Sequence, residues 1–186
     1  MTQRSILSGL RPTVIVHAGA SVTIRGVEGE RVSASATSWG GLGLDSAEGE
    51  IKVSIGFNGQ VEVPYLSNVK VYAGMNTEVD GVRGDVAVIT GLSLTVRSAG
   101  QLTAASAGWS INIDCETIAG PEMEIQAGRD LRLTIHSLPS AHVTVTDMSG
   151  DWEEIIGDGE LRLTLQAGGD VTLVTNQNLE WAPPDS

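Results

Sequence analysis

The sequence predicts an all-β fold, a right-handed parallel β-solenoid (β-helix) of short strands, with an antiparallel β-sandwich as the alternative. Three observations predict it. A phrase recurs three times near the C-terminal end, as AGRDLRLTIHS (127–137), GDGELRLTLQ (157–166) and AGGDVTLVTNQ (167–177). Within it Leu131, Leu133 and Ile135 alternate with Arg132, Thr134 and His136, and Leu161, Leu163 and Leu165 alternate with Arg162, Thr164 and Gln166. That period of two belongs to a strand with one dry face. The composition points the same way, with 23 glycines, one Phe and two Tyr among many Val, Leu, Ile and Thr. Finally, strand-like runs begin about every eight to twelve residues, and the dipeptide Ala-Gly marks their edges at Ala18, Ala73, Ala99, Ala107, Ala119, Ala127 and Ala167.

Taken in order, residues 1–12 read as an irregular N-terminal arm that ends at Pro12. Residues 13–175 read as the solenoid domain. Its strands are expected at 13–16, 22–24, 32–36, 51–55, 61–63, 69–71, 77–79, 86–90, 92–96, 102–104 and 111–115, then at 123–125, 131–135, 143–145, 161–165 and 171–174. Two glycine-rich or acidic stretches interrupt the beat, SWGGLGLDSAEGE (38–50) and residues 148–160, and both are expected to protrude as loops. Residues 176–186 form a C-terminal tail, because Pro183 and Pro184 cannot donate to a ladder. A hairpin protein would join longer strands with Asn-Gly or Asp-Gly turns. Asp80-Gly81 and Asp158-Gly159 occur, but most turns do not look like that, so small-residue corners between stacked coils, about five in number, account better for the pattern.

Charge narrows the function. The formal net charge is −12, and it is uneven: residues 1–93 carry 7 basic and 9 acidic groups, residues 94–186 carry 4 and 14. Such a surface repels phosphate backbones and anionic lipid, so neither nucleic acid nor membrane insertion is expected. No secretory leader and no run of 18 apolar residues is present. Cytoplasmic localisation is the expectation, with export by an unrecognised route as the alternative. One cysteine, Cys115, continues the alternation of Ile111 and Ile113 and reads as a small buried hydrophobe.

The run VEVPYLSNVKVYAGMNTEVDGVRGDVAVITGLSLTVRSAGQLTAAS (61–106) resembles the bacterial putative-adhesin β-strand-repeat family through its V-x-V-P opening and its G-V-x-G-D-V and T-G-x-x-x-V turns. The resemblance implies a single-stranded right-handed β-helix without cofactor or catalytic residues. AGRDLRL and AGGDVTLV are similar to repeats of filamentous haemagglutinin-type solenoids. A weaker likeness, in size and architecture, is to bactofilin-type β-helices that polymerise end to end.

No nucleophile elbow, phosphate loop or dinucleotide fingerprint is present, so no enzyme activity, no catalytic residue, no metal and no cofactor is expected. Asp130, Asp147, Asp151 and Asp158 could serve a carbohydrate-active β-helix enzyme, but they lie at turns, where carboxylates commonly bond nearby backbone. His17, His136 and His142 have no acid or cysteine at ligand spacing. The leading expectation is a structural assembly protein that associates with itself, as an oligomer or filament, or scaffolds other proteins. Arg4 and Arg11 at a basic N-terminal end would meet the acidic C-terminal half, since open coil ends expose unpaired backbone groups. The alternative is an adhesin-like module binding glycan or protein through the Trp39 and Trp152 loops, with Trp109 at a corner and Trp181 in the tail as further candidate interaction residues.

Overall fold

The computed structural model describes residues 2–37, 41–47, 49–157, 159–176 and 180–181. The described residues form strands and turns without helix. In chain order the strands are β1 (Thr2–Leu7), β2 (Thr13–Ala18), β3 (Val22–Val27), β4 (Arg31–Ala36), β5 (Leu42–Ala47), β6 (Glu50–Ile55), β7 (Gly59–Pro64), β8 (Asn68–Ala73), β9 (Thr77–Asp80) and β10 (Asp85–Thr90). They continue as β11 (Leu94–Ala107), β12 (Ile111–Ile118), β13 (Glu122–Ala127), β14 (Leu131–Ile135), β15 (Ala141–Asp147), β16 (Gly150–Ile156), β17 (Leu161–Ala167), β18 (Val171–Thr175) and β19 (Glu180–Trp181).

All of them join one hydrogen-bonded sheet of mixed orientation that wraps around a single core. Two ladders run through it. The first reads β5–β6–β2–β8–β10–β11–β13–β17–β15–β16. The second reads β1–β4–β7–β3–β9–β11–β12–β14–β18–β19. β11 serves both: Leu94–Val96 pair with β9 and β12, Gln101 to Ala107 with β10, and Ala99, Gln101 and Leu102 again with β12, after a register shift next to Ser98, whose φ is 54°. Every pairing inside either ladder is parallel, and the antiparallel pairings sit at the ends: β5 on β6, β4 on β7 with β1 outside it, β16 on β15, and β19 on β18. The antiparallel pairing that a sandwich would need is thus confined to the two ends.

The repeat is regular in the centre. Val69 pairs with Val86 and Leu94 with Ile111, each 17 residues on (86 − 69, 111 − 94). The step grows to 20 from Ile111 to Leu131, and to 40 from Leu131 to Val171, where the β15–β16 hairpin is inserted. In the first ladder chain order breaks twice, β2 lying between β6 and β8 and β17 between β13 and β15; in the second, β3 lies between β7 and β9.

Alternation places one apolar row per face inside. Val61, Ile24, Val79, Val96, Ile113, Leu133 and Leu173 are successive ladder neighbours, and all are fully buried. Branched aliphatics suit such a column, because side chains of similar size repeat at the inter-strand spacing of ~4.8 Å. The buried core among the described residues contains no aromatic side chain.

One corner of the wrap is built from glycine alone. Gly56, Gly19, Gly74, Gly91, Gly108, Gly128 and Gly168 stack in that order, seven rungs rather than the five expected. A Cβ on Gly19, Gly74, Gly91, Gly108, Gly128 or Gly168 would lie 2.1–2.5 Å from the carbonyl oxygen of the glycine one rung before. The rungs are tied by the N–H of Gly74 donating to Ala18, of Gly91 to Ala73 and of Gly128 to Ala107, at 3.0, 3.0 and 3.2 Å. Five of the seven Ala-Gly dipeptides supply this column, at Ala18, Ala73, Ala107, Ala127 and Ala167. Bending is thus a smaller part of glycine's role than close backbone approach.

Three expectations are corrected. Residues 1–12 are not all irregular: Thr2–Leu7 is an exposed edge strand on β4, and a strand with no buried face has no apolar alternation to read. The stretch 38–50 contains β5, and 148–160 contains β16; each folds back antiparallel on its neighbour instead of protruding. Likewise the expected strands at 92–96 and 102–104 are parts of the continuous β11.

The glycine column predicts a sharp contrast. Gly91→Ala should lower unfolding free energy by about 1–3 kcal/mol, the usual range for forcing atoms into a packed site. Gly41→Ala, whose Cβ would meet nothing within 4 Å, should change it by less than about 0.5 kcal/mol. Urea denaturation of both variants measures the difference.

Candidate functional site

The glycine corner also carries a cluster of exposed apolar side chains. The residue after each corner glycine forms a second column, Phe57, Ala20, Met75, Leu92, Trp109, Arg129 and Gly169. Each N–H donates to the carbonyl of the residue before it in that order, at 2.7–3.1 Å. Two positions before each glycine stands an outward row, Ser54, His17, Tyr72, Ile89, Ser106, Gln126 and Gln166, set side by side by the first ladder. Between the rows the corner glycines are themselves exposed, so bare backbone forms the floor. Grooves lie along it at both ends, one lined by His17, Gly19, Gly56, Tyr72, Gly74 and Ile89, the other by Ser106, Gly108, Gln126, Gly128, Gln166 and Gly168.

Phe57, Met75, Leu92, Trp109, Tyr72 and Ile89 are each 40–51% exposed. Singly exposed apolar residues are common, but five on three consecutive rungs of one corner, with Phe57 two rungs further along, make a patch of the kind that marks an interaction site. Two contacts hold its ends in place. His17 stacks on Tyr72 with ring centroids 5.0 Å apart, and the Arg129 guanidinium lies over the Trp109 ring, 5.4 Å from its centroid.

The interaction residues expected from sequence scatter around the molecule. Trp109 is half exposed and belongs to this strip. Trp152, expected in a free loop, is on β16 and packs, partly buried, against the core. It closes the edge of the first ladder and is not a free contact. Arg4 is exposed on β1, and Arg11 is exposed between β1 and β2, both away from the glycine corner. Trp39 lies outside the described residues, and for Trp181 only the backbone, in β19, is described. Phe57, Met75, Leu92, Tyr72 and Ile89 were not singled out from sequence. The signal was available one residue after and two residues before each corner glycine, but it needs the order in which the corners stack.

The carboxylates and histidines serve local structure. Asp130 Oδ1 accepts from the Asp170 N–H at 3.5 Å, while Asp147 accepts from Ser149 and Val171. Asp158 lies outside the described residues. His136 Nε2 is 2.7 Å from Asp114, and His142 Nε2 contacts Glu153, so each histidine has an acidic neighbour that sequence spacing hides because it comes from another strand. His136 and His142 thus pair with separate acids and not across a corner with one another. Among the described residues no three His, Cys, Asp or Glu side chains gather as a metal cluster. No helix there is long and apolar enough to cross a membrane. On the second ladder Arg25 stands between Glu62 and Asp80, and Asp80 stands beside Arg97, which also bonds Glu78 at 2.8 Å. The exposed Arg97–Glu78 pair contributes about 0–1 kcal/mol.

Cys115 is fully buried on β12. Burial, with Asp114 and Glu116 adding to it, pushes its thiol up from 9.0 to about 12.

No protein-family model matches the sequence, and no curated protein does. Among solved structures the chain is similar to a putative cell adhesion protein from Clostridium sporogenes, with 10% identity and a TM-score of 0.47 over 94% of this chain and 99% of that one. A likeness at that level adds nothing to the pairings described above. The resemblance to the strand-repeat family therefore rests on its quoted motifs.

Two outcomes follow for these side chains. Trp152→Ala should cost about 1–3 kcal/mol of stability, less than a fully buried tryptophan, as measured by chemical denaturation. Native Cys115 should resist alkylation at pH 8 and react on unfolding. Because its folded value is raised, the thiol's contribution is complete below pH 9 and falls away as pH rises towards 12, where only the unfolded chain ionises freely. Cys115→Ala should flatten that decline in denaturation midpoints.

Proposed function

We propose that the protein is a non-enzymatic assembly module: a right-handed β-solenoid that meets other proteins, its own copies included, across the strip on its glycine corner. The parallel ladders with a 17-residue repeat support the solenoid reading, and the strong bias of parallel crossovers supports the hand. The single observation that carries the functional reading is the exposed run of Met75, Leu92 and Trp109 beside Tyr72 and Ile89, with Phe57 beyond the buried Ala20. A floor of stacked backbone bonds holds it rigid, so little conformational entropy is lost when a partner docks.

Contact through the ends has less support. Both ladders finish in antiparallel strands, not in open parallel coils. The first ladder also presents Asp45 on β5 at one end and Asp151, Glu153 and Glu154 on β16 at the other, so head-to-tail stacking along it would set acid against acid. Charged outer strands are a familiar way of blocking edge-to-edge growth.

A photo-crosslinking residue placed at Leu92, and in a separate variant at Arg4, distinguishes strip from end. Irradiated in the cells that make the protein, position 92 should yield adducts to protein, identified by mass spectrometry, and position 4 should not. Adducts from position 4 with none from position 92 would reject the strip as the contact surface.

A further inference from the structure

We infer that the occupant of the strip is a second copy of this chain, packed corner to corner about a two-fold axis that passes between the rungs of Gly74 and Gly91, with the two stacks running in opposite directions. This rests on the strip being the contact surface, and it adds the partner and the register.

A two-fold of that kind keeps each column facing its own kind while reversing rung order, so rung one meets rung six and rung three meets rung four. Applied to the column after the glycines, it sets Met75 against the partner's Leu92, and it sets Ala20 against the partner's Trp109. Ala20 is buried between the larger Phe57 and Met75, leaving a notch where the tryptophan arrives. Phe57 then meets the partner's Arg129, a guanidinium already disposed to lie over an aromatic ring.

The outward row is matched in the same register, with Tyr72 on the partner's Ile89 and His17 on the partner's Ser106. Two residues further out the first ladder presents Lys52, Ile15, Lys70, Ala87, Ala104 and Glu124 in rung order. Reversal brings Lys52 to the partner's Glu124. For a chain of net charge −12 most faces repel a copy; in these three columns Glu124 is the one acid, and it faces a lysine.

Six rungs span about 24 Å at ~4.8 Å each, and the columns from Lys52 to Phe57 span about 17 Å at ~3.3 Å per residue. The flat footprint is about 400 Å² per subunit before side-chain relief, at the small end of specific interfaces, which gives weak, concentration-dependent dimers of roughly micromolar affinity.

Sedimentation equilibrium on the purified full chain tests this. The mass should rise from monomer to dimer across the micromolar range, and Leu92→Asp should hold it at monomer with an unchanged circular dichroism melt. Lys52→Glu should weaken the dimer, and adding Glu124→Lys should restore it. His17→Cys with Ser106→Cys reads the register. The two positions are three rungs apart, about 14 Å, beyond the ~7 Å between Cα atoms that a disulfide allows, so they cannot close within one chain. Oxidation should link the double variant into covalent dimers and leave each single variant unlinked. A wild-type chain that stays monomeric throughout, or a dimer indifferent to Leu92→Asp, overturns the inference; a dimer whose double variant does not link overturns the reversed register. Adducts from position 92 to other proteins, together with a monomeric purified chain, would leave the strip as a contact surface and remove only the second copy.

Discussion

The structure depends on backbone meeting backbone at one corner. From Gly19 onward along the stack, each corner glycine comes so near the carbonyl of the rung before it that no side-chain carbon fits between them. The cost of glycine is entropic, roughly 0.5–1 kcal/mol relative to alanine in a regular element. What offsets it is a continuous run of hydrogen bonds through the turn, from Gly19 to Gly168, at places where most folds would give their turn backbone to water. Because the corner admits no side chain, the rungs above and below it are held in one register, and the aliphatic columns inside inherit that register.

The same constraint shapes the surface. A corner floored by glycine leaves the next residue, Phe57, Met75, Leu92 or Trp109, standing out from the wrap, with Tyr72 and Ile89 across the bare floor. On the second ladder the outward row is oppositely charged, as with Glu62, Arg25, Asp80 and Arg97, while Leu7, Leu10, Met148 and Ile155 are exposed outside the strip. The apolar strip thus stands on a backbone tied rung to rung by hydrogen bonds, a favourable combination for recognition, since neither the floor nor its ring-stacked margins must be ordered on binding. The ends of the wrap are treated in the opposite way. They carry antiparallel outer strands with exposed acids on β16, and Trp152 is turned inward as packing.

Much of this was legible in the residues. The period of two in the strands, the buried thiol of Cys115 and the importance of Ala-Gly corners all follow from local sequence, because inward and outward positions alternate whatever the neighbour strand is. The edge strands β1, β5 and β16 were missed as strands. Each has at most one buried residue, so their backbone pairing leaves no apolar pattern to detect. The acidic neighbours of His136 and His142 were missed for a related reason, since Asp114 and Glu153 reach them from other strands.

By itself the sequence determined that this chain makes short strands with one dry face, turned at glycine, because propensity and alternation act between near neighbours. Only the tertiary structure decided the order of the rungs, with β2 placed between β6 and β8 and β17 between β13 and β15. That order is set by which aliphatic column and which carbonyl each strand fits against, a choice made between residues 17 to 55 positions apart (86 − 69 for Val69 and Val86, 69 − 14 for Val14 and Val69). The strip exists only because of it: Phe57 and Met75 become neighbours of Ala20 when their rungs stack, and no window of sequence contains them in that arrangement.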